Sequence, residues 1–79
     1  MITPEEVQRI LEEIAGQSVI REDSVSILGR DSLDLLSAYE SIERWSKVVF
    51  PDKVLVEFQT VGDVIDFVME YSAKHNLPA

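Results

Sequence analysis

No cysteine occurs in the 79 residues. Disulfides and thiolate metal sites are excluded at once, and a reducing compartment fits. Basic residues are scarce. Seven Lys and Arg stand against fifteen Asp and Glu, a formal charge of −8. Such a field repels nucleic acid and attracts basic partners. No apolar run approaches the roughly 20 residues that span a bilayer. The opening MITPEEVQRI has neither the basic start nor the apolar stretch of a signal peptide. A cytosolic protein without membrane contact is expected. The single histidine, His75, falls near the end of the chain, where the last turn of a helix suits a cation. Nothing in the pattern brings it beside a serine, so a serine hydrolase is not supported. The phosphate-loop, dinucleotide and calcium-loop spacings are all missing. Neither an enzyme nor a metal site is expected.

What remains has ordinary globular proportions, 46% hydrophobic and 28% charged. The length points to one domain over residues 1–79. A core this small is marginal unless its helices pack well. The segment TPEEVQRILEEIAG reads as a helix. Thr3 can cap, Pro4 suits the first helical position, and Glu6 completes a capping box. Val7, Ile10, Leu11 and Ile14 share one face, and Gly16 is a stop. Residues 17–30 show no sustained period and read as a long loop, pinned by some of Val19, Ile20, Val25, Ile27 and Leu28, with a turn at Gly29.

A second helix is expected from Asp31 or Ser32. Its apolar stripe would be Leu33, Leu36, Tyr39, Ile42 and Trp45, widened by Leu35 and Ala38. Asp34, Ser37, Glu40, Ser41 and Arg44 would face solvent. Pro51 ends any helix running into it. DKVLVEF could be a strand or a short helix. A lone strand has nothing to pair with, so the short helix is favoured. The last helix is TVGDVIDFVMEYSAKH, capped by Thr60 with Asp63 at the third position. Val61, Val64, Ile65, Val68 and Tyr71 share its face, and NLPA is expected to fray. The sum is all-α: a small antiparallel four-helix bundle with three main helices and a short third one.

The chemistry concentrates at LGRDSLD, residues 28–34. Asp and Ser are both good helix starts, but one cap needs one residue, and Asp31 supplies it. Ser32 then stands at the first helical position with its hydroxyl free. The first amides of a helix lack partners and favour negative charge. The position therefore suits a serine carrying a phosphate or a phosphodiester, and these considerations do not choose between the two.

Here the sequence resembles the acyl carrier proteins. Their attachment motif reads Leu-Gly-x-Asp-Ser-Leu-Asp. All six specified positions are present as Leu28, Gly29, Asp31, Ser32, Leu33 and Asp34. FPDK at residues 50–53 resembles the family's turn after the second helix, and TVGDVIDFV at residues 60–68 its start to the last helix. Both keep the family spacing from the serine. The resemblance implies a carrier domain in which a phosphopantetheinyl transferase moves 4′-phosphopantetheine from coenzyme A onto Ser32. Asp31 and Leu33 would flank the attachment point and help the transferase recognise it. The thiol missing from the chain would arrive with this arm. Loading ligases or transferases and downstream synthase enzymes would be the other partners of a monomeric carrier.

The partner-facing residues implied are Arg30, Asp34, Ser37, Glu40, Glu43 and Arg44. Their second-helix face is only moderately acidic. Ser37 stands where the family often has a glutamate, Glu40 where it often has an apolar residue, and Arg30 adds a positive charge. The first connection is shorter than in the common fatty-acid carriers. An altered charge surface selects different partners, so a specialised, polyketide-like pathway is expected rather than housekeeping fatty-acid synthesis. An aminoacyl or peptidyl carrier is the alternative, although such domains more often show Gly-Gly-His/Asp-Ser. An adaptor that has lost its arm is another, although it would not need the serine. Cargo space between the helices would be lined by Leu36, Tyr39, Ile42, Phe58, Ile65 and Val68.

Overall fold

The short-range signals build the helices one by one. In the computed structural model, which describes residues 2–75, α1 runs Pro4–Ala15. Its capping box is closed on both sides: the Glu6 amide donates to Thr3 Oγ1 at 3.2 Å and the Thr3 amide to Glu6 Oε1 at 2.9 Å. Gly16 ends the helix in the left-handed region, at φ 72°, where a side chain would be strained. Val7 and Leu11 are fully buried on its inner face.

The connection to the next long helix is more ordered than the sequence implied. It contains a 3₁₀ turn over Val25–Leu28, started by Ser24, whose hydroxyl accepts the Ser26 amide. Before that turn the chain is tied to α1: Gln8 Nε2 donates to the Val19 carbonyl, and the Val19 amide to Glu12 Oε2. It is also tied to the start of the last helix. The amides of Val61 and Gly62 donate to the carbonyls of Asp23 and Arg21, and that of Val25 to Gln59. One antiparallel bridge, Ser24 with Thr60, is the only extended pairing among the described residues. Of the residues expected to pin this segment, Val19, Val25 and Leu28 are buried and Ile27 is partly buried. Ile20 instead points outward, because the local turn between Ile20 and Asp23 reverses the chain there.

Helix α2 spans Ser32–Ser46. Its buried residues are Ala38, Tyr39, Ile42 and Ser46, with Leu35 and Trp45 partly buried. The expected stripe is corrected at its first two members: Leu33 is 77% and Leu36 44% exposed. No glycine marks the end of α2. Lys47 takes the left-handed conformation at φ 65°, and its amide donates to the Glu43 carbonyl. Ser46 secures the exit, donating to the Ile42 carbonyl at 2.7 Å and accepting the Val48 amide at 3.2 Å.

DKVLVEF forms no strand. A single helical turn, α3, covers Asp52–Leu55 and contributes no fully buried residue. Helix α4 spans Val61–His75. The Asp63 amide donates to Thr60 Oγ1, while Asp63 Oδ2 accepts the amides of Gln59 and Thr60. These two donors hold the Asp63 carboxyl below its ordinary range. The inner face carries Val61, Val64, Ile65 and Val68 as expected, but ends at Ser72, with Tyr71 only partly buried. The expected fraying of NLPA concerns residues 76–79, outside the described part. α1 packs on α4 and α2, and the 3₁₀ turn packs on α1 and α2. The result is a small all-α bundle. Among the described residues no helix is long and apolar enough to cross a membrane.

Candidate functional site

The first turn of α2 is set by three neighbours in sequence. Gly29 comes first. It lies so close to α2 that a Cβ there would fall 2.6 Å from Leu35 Cα and 2.8 Å from the Asp34 carbonyl carbon. Its backbone is extended, so the requirement is for room and not for an unusual dihedral. Asp31 is the N-cap, with Oδ1 accepting the Asp34 amide at 2.9 Å. Asp34 reaches back, and its Oδ2 accepts the Arg30 amide at 2.9 Å. This reciprocal pair fixes the turn from both sides. The Arg30 side chain stands 3.7 Å from the same carboxylate but is 95% exposed, so that ion pair contributes little.

Ser32 occupies the first helical position and is exposed. Among the described residues nothing is hydrogen-bonded to its hydroxyl, since Asp31 does the capping. At such an end the amides of the first two helical residues, Ser32 and Leu33, have no intrahelical acceptor. A hydroxyl that is exposed, unpaired and beside two open amides fits a phosphodiester. Leu33 projects into solvent next to it.

A groove of about 310 Å³ starts at Ser32 and runs between α2 and α3. One wall is Leu35, Leu36 and Tyr39, and the other is Asp52, Leu55 and Val56. Of the six residues expected to enclose cargo, only Leu36 and Tyr39 line it. Ile42, Phe58, Ile65 and Val68 are buried core, 8% exposed or less. Tyr39 also belongs to an aromatic cluster, with ring centroids 6.0 Å from Phe50 and 5.6 Å from Phe58. Burial pushes its phenol above the ordinary value.

Sequence reasoning missed Leu55 and Val56 as groove residues. Their signal was three consecutive apolar residues, VLV, in a segment too short to bury them all. It also read Gly29 as a turn, where the structure shows a close approach. The outer face of α2 presents Ser37, Glu40 and Arg44 to solvent. Asp34 and Glu43 are half-buried, and each spends a carboxylate oxygen on a backbone amide, Glu43 Oε2 accepting that of Phe50 at 2.8 Å. Among the described residues no group of three or more His, Asp or Glu converges on a metal position.

Residues 5–68 match the family model described as phosphopantetheine attachment site. Acyl carrier proteins from three strains of Clostridium perfringens are 30% identical over 73 aligned positions, spanning 84% of this chain and 96% of each relative. No solved structure gives a significant match. The match to the attachment-site model runs through both helices that build the groove. The chain belongs to the acyl carrier protein family, whose prosthetic group is a covalently attached 4′-phosphopantetheine.

Proposed function

We propose that Ser32 is the attachment residue and that the protein serves a specialised, polyketide-like pathway without catalysing a reaction itself. The observation that carries the attachment is the exposed Ser32 hydroxyl, free of partners because Asp31 caps α2. In the transfer, Ser32 Oγ forms a bond to the phosphorus that bears the pantetheine arm. The pyrophosphate P–O bond of coenzyme A breaks, adenosine bisphosphate leaves, and the serine proton passes to a base on the transferase. When bound, the group supplies a thiol that holds acyl chains as thioesters. Asp31 holds the turn, and Leu33 offers an apolar contact to the transferase.

Arg30, Ser37, Glu40 and Arg44 would form the face met by partner enzymes, with Asp34 and Glu43 at its half-buried edge. The mixture of charges on this face favours partners other than those that read a strongly acidic helix. Loading enzymes and synthases of one pathway would be its partners. A monomer in the cytoplasm is the form in which we expect it to work.

Intact mass after incubation with coenzyme A and a broad-specificity phosphopantetheinyl transferase tests the attachment. A gain of one phosphopantetheine is expected, absent in Ser32→Ala. An unchanged mass with folded protein and active transferase would refute it. For the pathway, replacing Arg30, Ser37 and Glu40 by the residues usual in fatty-acid carriers should improve turnover by fatty-acid enzymes. No improvement would count against a specialised partner set.

A further inference from the structure

The Tyr39 side chain is 4% exposed, yet its hydroxyl has no hydrogen-bond partner among the described residues. A buried donor left unmade is costly in a core. Ser72 is the other buried hydroxyl in this condition, but a serine within a helix reaches the carbonyl four residues back by rotating about one bond. Tyr39 has no such escape. Its ring is rigid and is held edge-on against Phe50 at 81°, so its oxygen cannot move unless the cluster opens. A partner must come to it.

The groove lies against the same side chain. Tyr39 belongs both to the aromatic cluster and to the groove wall that begins at Ser32. The opposite wall is α3, one turn long, with no side-chain cap and no fully buried residue. So short and lightly held an element can yield to a chain laid beneath it. Tyr39 lies seven residues beyond Ser32 on the same helix, about 10 Å along its axis at 1.5 Å per residue. A purely aliphatic chain in this groove would gain the apolar walls of Leu35, Leu36 and Leu55 but leave the phenol unpaired. A chain carrying an oxygen at that depth would gain both.

We propose that Tyr39 makes this carrier selective for thioester-bound chains bearing an acceptor oxygen, such as a keto or hydroxyl group, over saturated chains of equal length. The proposal rests on the attachment at Ser32. It gives the specialised-pathway reading a substrate class.

The test compares three loaded forms of the full chain: the arm alone, a six-carbon saturated acyl group, and its keto counterparts with the carbonyl at successive positions. Amide-linked analogues prevent hydrolysis, and mass spectrometry confirms loading. Two readouts are taken, the thermal midpoint and the carbon resonance of the Tyr39 phenol, which Tyr39→Phe assigns against Tyr71. At least one keto chain should shift the Tyr39 resonance and raise the midpoint by about 4–8 °C over the saturated chain, the expectation for one added hydrogen bond in a domain of this size. Tyr39→Phe, brought to the same extent of loading by mass, should abolish the difference. Equal midpoints for all chains would overturn the proposal. So would a difference that survives in Tyr39→Phe, or a phenol shift produced in full by the arm alone. No gain in mass would overturn both this reading and the attachment; loading without dependence on the phenol would overturn this one alone.

Discussion

Replacing Gly29 by alanine should damage the site more than it damages the fold. The added Cβ would lie 2.6 Å from Leu35 Cα and 2.8 Å from the Asp34 carbonyl carbon, and closer still to the Leu35 nitrogen. Carbon atoms rest at about 3.5–4.0 Å, so the two backbones must part by about 1 Å. Neither contact is a side chain that can swing aside. Forced overpacking costs about 1–3 kcal/mol. Parting the segments also strains the hydrogen bond from the Leu35 amide to the Asp31 carbonyl and the one from the Asp34 amide to the capping Asp31 carboxylate, so a total of about 2–4 kcal/mol is expected. A domain this long holds about 4–12 kcal/mol, so the variant stays mostly folded unless the parent lies at the bottom of that range.

Ser46→Ala is the matched control. It strands the amide of buried Val48 at a cost of about 1–3 kcal/mol, and it sits about 21 Å along α2 from Ser32. Urea unfolding should show both variants weakened. Loading by the transferase, followed by mass at a temperature where both are folded, should slow about ten- to hundredfold in Gly29→Ala alone, because an ångström of misplacement is enough to do so. If Gly29→Ala keeps wild-type stability, or loads as fast as Ser46→Ala, then the close approach is not what fixes the glycine.

Lys47→Gly should stabilise the fold by about 1 kcal/mol in urea unfolding, because Lys47 sits at φ 65° where a side chain is disfavoured. In the absence of an arm, Tyr39→Phe should raise stability by about 1–2 kcal/mol, since it removes a buried hydroxyl that has no partner; a loss would show that the hydroxyl is paired. The Asp63 carboxyl is depressed by the Gln59 and Thr60 amides, so its contribution is fully present above its ordinary value of 3.8 and is lost as the pH falls below that. Because the group is exposed, the loss should be under about 1 kcal/mol. Asp63→Asn should start lower at neutral pH and lack this part of the acid dependence.

The helix starts were legible in the sequence because their chemistry is local. Thr3 with Glu6, Asp31 with Asp34, and Thr60 with Asp63 each close a hydrogen bond across three residues, and each is found closed. The first connection was not legible. Its order comes from partners far away in the chain: Gln8 and Glu12 for Val19, Gln59 for Val25, and Asp66 for Arg21 at 2.8 Å. The end of α2 escaped notice for another reason. A lysine performs the turn usually marked by glycine, and Ser46 supplies the bonds that hold it.

The rotation of α2 is where pattern reading failed, and the failure falls on the site. Leu33, Leu36, Tyr39 and Ile42 advance in steps of three. At 3.6 residues per turn each step falls about 60° short of a full turn. From Leu33 to Ile42 the stripe has therefore swung through about 180°, to the opposite face of the helix. The burial follows that arc: Leu33 is 77% exposed, Leu36 44%, Tyr39 4% and Ile42 fully buried. The seam that packs runs instead through Leu35, Ala38, Tyr39, Ile42 and Ser46. A protein with so small a core has reason to bury every large apolar side chain. Leaving Leu33 and Leu36 outside, with Val56 at 84% exposure across the groove, works against stability. Leu36 and Val56 line the groove that begins at Ser32, and Leu33 stands exposed beside that serine. If Ser32 carries the arm, the two α2 leucines that looked like core by count are placed to meet the chain or the enzyme that comes to it.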